Sequence, residues 1–159
     1  MKICEEAFIY KLYGQVMILF PARNLVKEAW DSRTEFHSSG EFMYFPKYCP
    51  YKDHLFNLEE DHDQKGLIKF AFLQDPRSMW RVIAIPAKIG GFDNRVSLCQ
   101  KYRGLRGEEL QKVTGCPDAE FCHMAGFTGG AWSRESAIKM AEASLKEHND
   151  ATVQKSENL

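Results

Sequence analysis

Leu67-Ile-Lys-Phe-Ala-Phe-Leu-Gln74, Asp75-Pro-Arg-Ser78 and Met79-Trp-Arg-Val-Ile-Ala-Ile-Pro86 read as strand, turn and strand. The flanking runs are rich in β-branched and aromatic residues, which suit a pleated surface with buried sides. The four residues between them carry turn chemistry, with an aspartate, a proline and a serine close together. The stretch therefore predicts a β-hairpin, and the remaining segments arrange around it as helices and short strands.

Working upstream, Gly66 closes an acidic stretch, and a helix is expected after Pro50 with Tyr51, Leu55 and Leu58 on one side. A short strand is expected around Phe42 to Phe45, preceded by a turn at Ser38-Ser39-Gly40. Pro21 is a good first helical residue, and Leu25, Val26, Ala29 and Trp30 repeat with helical spacing to about Arg33. Residues 1 to 20 are apolar and aromatic without clean periodicity. Downstream, Ala87 to Tyr102 reads as an ordered loop, and Gly107 to Thr114 as a short helix ended by Gly115 and Pro117. Ala119 to His123 reads as a strand, and Gly126-Phe-Thr-Gly129-Gly130 as a glycine-rich turn into a final helix with Ser133 as its N-cap. Ile138, Ala141 and Leu145 form the apolar face of that helix, while the polar residues from about Asn149 to Leu159 predict a disordered tail. The sum is a single α+β domain with a mainly antiparallel sheet, its β-hairpin packed against helices.

The chain has 159 residues, 44% of them hydrophobic, which is enough to bury one core. Its formal net charge of −1 marks it neither as a nucleic-acid binder nor as a charged tail. The charge is unevenly distributed, however. Arg77 to Arg106 holds seven basic residues and one acid, Asp93, whereas Asp53, Glu59, Glu60, Asp61 and Asp63 gather upstream. Such segregation can build a basic face on a neutral protein, or leave scattered solvated side chains. The five cysteines are odd in number and widely spaced, so the expectation is a reducing compartment and no disulfide framework. Lys11, Gly14 and Gln15 interrupt the most apolar segment, so no membrane span is predicted. The first 20 residues contain no arginine, which argues against a mitochondrial presequence and places the protein in cytoplasm or nucleus by default.

Several residues could carry chemistry. In His123-Met-Ala-Gly126-Phe-Thr-Gly129-Gly130, glycines ahead of a helix could let a phosphate approach free backbone N–H groups. The alternative is a strand-to-helix turn needing positive φ. His123 has two readings as well, a functional imidazole beside those amides or a satisfied core histidine. Cys122 and His123 do not make a nucleophilic dyad, because successive strand residues point to opposite faces. Cys116, Cys122 and His123 lack the paired spacing of a zinc site. Asp61-His62-Asp63 resembles an Asp-His-His metal signature, but it stands at a helix end without accompanying acidic motifs. Arg103 and Arg106 offer two guanidinium forks beside Tyr102, suited to phosphate and single-stranded nucleic acid. Their structural alternative is pairing with Glu108 or Glu109.

Pro21-Ala-Arg23, Tyr51-Lys-Asp-His-Leu55, Trp80-Arg-Val82, Tyr102-Arg-Gly-Leu-Arg106 with Glu108-Glu-Leu110, and His123 to Gly130 resemble, in order and spacing, successive motifs of the MYG (melanocyte proliferating gene) family, relatives of the DHH phosphoesterases. The resemblance covers about residues 20 to 147. It implies a metal-dependent 3′ to 5′ RNA exonuclease of nucleus and mitochondrion, with Mn or Mg bound by an amino-terminal domain and substrate bound by a carboxy-terminal one. This chain resembles the second part, over residues 21 to 148, with residues 1 to 20 divergent and containing no Asp or His. No catalytic residue or metal ligand is therefore assigned to it. The expected role is a substrate-binding module gripping single-stranded RNA phosphates through Arg103, Arg106, His123, Gly129 and Gly130. The alternatives are an interaction or dimerisation module derived from that enzyme, and nuclease activity completed in trans by a full-length homologue.

Overall fold

A computed structural model describes residues 20 to 157. The expectations for the divergent amino-terminal segment lie outside these residues. The chain runs as α1 (Phe20–Asp31), α2 (Arg33–Phe36), β1 (Phe42–Phe45), α3 (Lys52–Asp61), β2 (Phe70–Gln74), β3 (Trp80–Ala84), a 3-10 turn (Gln100–Tyr102), α4 (Gly107–Thr114), β4 (Ala119–Cys122), β5 (Thr128–Ala131) and α5 (Arg134–Glu157). The five strands form one sheet in the order β1-β2-β3-β5-β4. Three ladders are antiparallel and the β1–β2 ladder is parallel, so the sheet is mixed and mainly antiparallel. The parallel pair follows from the connection, because α3 lies between the two strands and carries the chain back before β2 begins.

The predicted hairpin is β2–β3, with Phe72 opposite Val82. Asp75 turns it: its carboxylate accepts the backbone N–H of Arg77 at 2.9 Å and of Met79 at 3.1 Å. Alternation along the strands then divides the core in two. Phe42, Phe70, Phe72, Val82 and Ala84 face α5, where Ala137, Met140 and Ala141 are buried with them. Met43, Phe45, Ala71, Leu73 and Ile85 face the other way, against Val26 and Trp30 of α1 and Leu55 of α3. Strands β1 and β2 are thus covered on both sides and read as unbroken apolar runs. The second cluster reaches β3 at Ile83 and continues to Ile85 just after it, and contains no residue of β5 or β4. On that side the outer half of the sheet is not covered by any described helix.

Two expectations change. Gly129 and Gly130 are not a turn at a helix start; they lie inside β5, hydrogen-bonded to β3 on one side and β4 on the other. Lateral pairing makes this segment a strand although it lacks apolar alternation, and the helix begins only after Ser133, whose Oγ accepts the Ser136 N–H at 3.2 Å. Helix α5 also continues to Glu157, past Asn149, where the sequence pattern predicts a disordered tail. A helix nucleated on the core extends at the cost of one residue per hydrogen bond, and Ala151, Gln154 and Lys155 are good helix formers.

Part of the segregated charge is turned inward. Arg95 turns inward and forms two hydrogen bonds with Glu59, at 2.5 and 2.7 Å. Glu59 is 1% exposed and also accepts the backbone N–H groups of Gly66 and Ile68. One acid of the upstream cluster and one base of the downstream segment therefore neutralise each other in the interior. Among the described residues, no helix is long and apolar enough to cross a membrane. Cys49, Cys99, Cys116 and Cys122 are buried free thiols.

Candidate functional site

The part of the sheet that no described helix covers carries a row of side chains set by strand register. Arg81 of β3 is opposite Gly130 of β5, Gly130 is opposite Phe121 of β4, and Phe121 is bridged to Arg106 beyond the strand edge. Gly130 makes the row possible. A Cβ there would lie 2.7 Å from Cε1 of Phe121 and 3.3 Å from Sδ of Met79, so the Phe121 ring occupies the space a side chain would need. The Arg81 guanidinium lies 4.9 Å from the Phe121 ring centroid and that of Arg106 lies 5.7 Å from it. One aromatic ring thereby holds two cations on an open face.

The two arginines differ in commitment. Arg81 is 3.2 Å from the Asp75 carboxylate, which is also 3.4 Å from Arg77. Burial opposes ionisation of Asp75, but the N–H groups of Met79 and Arg77 and the Arg81 guanidinium outweigh it and hold the carboxyl below its ordinary value. It remains a fixed anion that orients Arg81. Arg106 is exposed, its guanidinium stands over the Phe121 ring, and among the described residues it is paired with no acid. Trp132, the first residue after β5, is 48% exposed, and its Nε1 donates to the Glu120 carboxylate at 3.1 Å.

The residues singled out from sequence do not all meet. Arg106 and Gly130 belong to the open face. Arg103 and His123 sit at the tip of the β4–β5 hairpin. Nε of Arg103 donates to the Leu98 carbonyl at 3.0 Å, and the guanidinium lies against Gly126, where a Cβ would be 2.6 Å from that nitrogen. Gly126 has φ +68, which closes the turn after His123. Arg103 thus braces the tip, and the structure gives it no pairing with Glu108 or Glu109. His123 is exposed, accepts the Ala125 N–H at Nδ1 and lies 4.4 Å from the Phe127 ring. Gly129 faces the α5 side, where a Cβ would be 3.0 Å from Leu98 and 3.2 Å from Met140. It is a packing glycine, and the geometry for cradling a phosphate at a helix start is absent from this segment.

The other chemical candidates resolve as follows. Burial pushes the Cys122 thiol up to about 11, which keeps it protonated and unreactive near neutral pH. His62 closes α3 by bonding Nδ1 to the Leu58 carbonyl at 2.8 Å and packs on Trp30, while Asp61 is exposed at the helix end. Among the described residues, no three His, Cys, Asp or Glu side chains converge where they could hold a metal ion. Arg81, Phe121 and Trp132 were not singled out as site residues in the sequence. The signal that could have found them was the alternation of β3, but the register that joins them across β5 has no sequence signature.

The family model described as Uncharacterised protein family (UPF0160), the MYG1 exonuclease model, matches residues 1–145. A MYG1 protein of Dictyostelium discoideum is 38% identical over 149 residues, covering 92% of this chain and 45% of the relative. A MYG1 protein of Saccharomyces cerevisiae is 39% identical over 133 residues, covering 84% of this chain and 39% of the relative. The MYG1 exonuclease of Mus musculus is 38% identical over 146 residues, covering 91% of this chain and 38% of the relative. The chain therefore spans less than half the length of these relatives. No solved structure matches it.

Proposed function

Because the chain belongs to the MYG1 exonuclease family, we propose that it is the substrate-binding part of such an enzyme, holding single-stranded RNA without cleaving it alone. The observation that carries this reading is the open row Arg81–Gly130–Phe121–Arg106, which presents two guanidiniums on a single ring. Arginine matches phosphate oxygens with paired N–H donors, and stacking on an aromatic fixes the guanidinium plane before the ligand arrives. Arg103 and His123 contribute at the hairpin tip, farther along β4, where a strand crossing the face would continue.

The described residues offer no convergent carboxylate and imidazole set for a Mn or Mg pair. They do not fit that group, and no metal-dependent step is assigned to them. The test is a combined assay of labelled single-stranded RNA with purified chain and manganese. Binding without cleavage is expected. Cleavage that copurifies with the chain and stops when manganese is chelated would show a metal site in this chain and overturn the reading.

A second reading rests on a separate observation. The ordered loop after β3 presents a fully exposed Phe92 and a half-exposed Ile89, and the hairpin tip at the same end of the sheet presents Met124 and Phe127. Exposed apolar groups gathered in this way suit a protein interface, either a second copy or a full-length homologue. Light scattering across a concentration series tests the second copy: a strictly monomeric species that still binds RNA removes it, and leaves a full-length homologue, tested by mixing, as the partner of the second reading.

A further inference from the structure

We propose that Trp132 is a stacking platform for one base of a single strand that lays a nearby phosphate, about two nucleotides away, against Arg106, so that this face selects unpaired over duplex nucleic acid. The inference rests on the substrate-binding reading and assigns a residue and a ligand class to it. The indole is 48% exposed, the most exposed tryptophan of the chain, whereas Trp30 is buried and Trp80 packs beside Phe36 and Tyr44. Its polar edge is already satisfied, since Nε1 donates to Glu120 at 3.1 Å and the backbone N–H of Trp132 donates to Asp118 at 3.0 Å. What the residue leaves to solvent is an aromatic surface with no remaining hydrogen-bond demand.

Its position relative to the arginine row supports the same ligand. Trp132 follows the last residue of β5 and lies about 7 Å along the chain from Gly130, while Arg106 stands beyond Phe121, two strand spacings or about 10 Å to the side; about two nucleotides of a single strand cover that offset. The charges divide accordingly. The Glu120 carboxylate beside the indole repels a phosphate at that end, and Arg106, which contacts no acid among the described residues, attracts it at the other. Duplex nucleic acid keeps its base faces stacked internally and cannot cover the indole, whereas an unpaired base can.

The experiment compares three probes by anisotropy with the whole chain: a single-stranded oligoadenylate, a duplex of equal length, and inorganic polyphosphate of similar charge. Trp132→Ala should weaken oligoadenylate binding about 10-fold, within the range for loss of one stacked base, and leave polyphosphate binding unchanged. Trp132→Phe, which preserves an aromatic ring and guards against misfolding, should retain most of the affinity while losing the tryptophan quenching that accompanies binding. Equal loss of oligoadenylate and polyphosphate binding in Trp132→Ala would overturn the stacking role, as would unchanged binding or wild-type affinity for the duplex equal to that for the single strand. If Arg106→Ala weakens both single strand and polyphosphate while Trp132→Ala weakens neither, the stacking inference alone fails. If the wild-type chain binds none of the three probes, the substrate-binding reading fails with it.

Discussion

Gly130→Ala is the sharpest perturbation of the site, because its effect can be worked from a single close approach. The added Cβ would stand 2.7 Å from Cε1 of Phe121, closer than carbon atoms approach without displacement, and 3.3 Å from Sδ of Met79. The methionine can yield, but the ring must swing away, and the two guanidiniums held at 4.9 and 5.7 Å from its centroid are left without their common support. Overpacking of this kind costs about 1 to 3 kcal/mol. Replacing glycine by alanine in extended backbone returns about 0.4 to 1 kcal/mol through the unfolded chain. The net destabilisation is about 1 kcal/mol, a fall in Tm of about 2 to 4 °C for a domain of this size. RNA affinity should fall as well, and the diagnostic is a double-mutant cycle. In a Phe121→Ala background the clash is gone, so Gly130→Ala should cease to destabilise, giving a coupling of at least about 0.5 kcal/mol. Thermal unfolding of the four proteins measures it, and additive effects would refute the argument that Gly130 exists to admit the Phe121 ring.

Three further outcomes are expected. Arg95→Ala strands the Glu59 carboxylate inside the core and should destabilise by about 3 to 5 kcal/mol, whereas the same change at exposed Lys88 should be nearly silent; chemical denaturation compares them. The folded state holds the Asp75 carboxyl below its ordinary value near 3.8, so its contribution to stability is complete above that value and is lost as pH falls through the lower folded one; Asp75→Asn should flatten the acid limb of the stability profile. Cys122, whose thiol is pushed up to about 11 by burial, should resist alkylation at pH 8 in the native chain and react once the chain is unfolded in denaturant, as mass spectrometry would read.

Much of the fold was legible because local chemistry and tertiary structure agree. Asp75-Pro-Arg-Ser78 turns the hairpin, Leu55 and Leu58 mark the buried side of α3, and Gly115 ends α4. The double glycine was misread for a physical reason. Gly129 and Gly130 have no side chains to alternate, and they form a strand only because β3 and β4 pair with them from both sides, through residues far away or across a bulge. The site was half legible for the same reason. Arg106 could be named from its guanidinium and its neighbours, but its partner ring at Phe121 and the second cation at Arg81 are brought beside it by register. The run of basic residues from Arg77 to Arg106 misled in the other direction. Arg95 is bound to Glu59 and Arg103 to the Leu98 carbonyl, so linear charge density overstated the basic surface.

The central claim is tested most directly by titrating labelled single-stranded RNA against the wild-type chain and the Arg81→Ala/Arg106→Ala variant across a salt series. Affinity of the wild type should fall linearly on a logarithmic salt axis, and the variant should bind more weakly, with a slope shallower by about 0.7 for each phosphate that the two arginines no longer neutralise. Wild-type binding that ignores salt, or a variant with the same affinity and slope, would contradict the assignment of the open face to phosphate recognition.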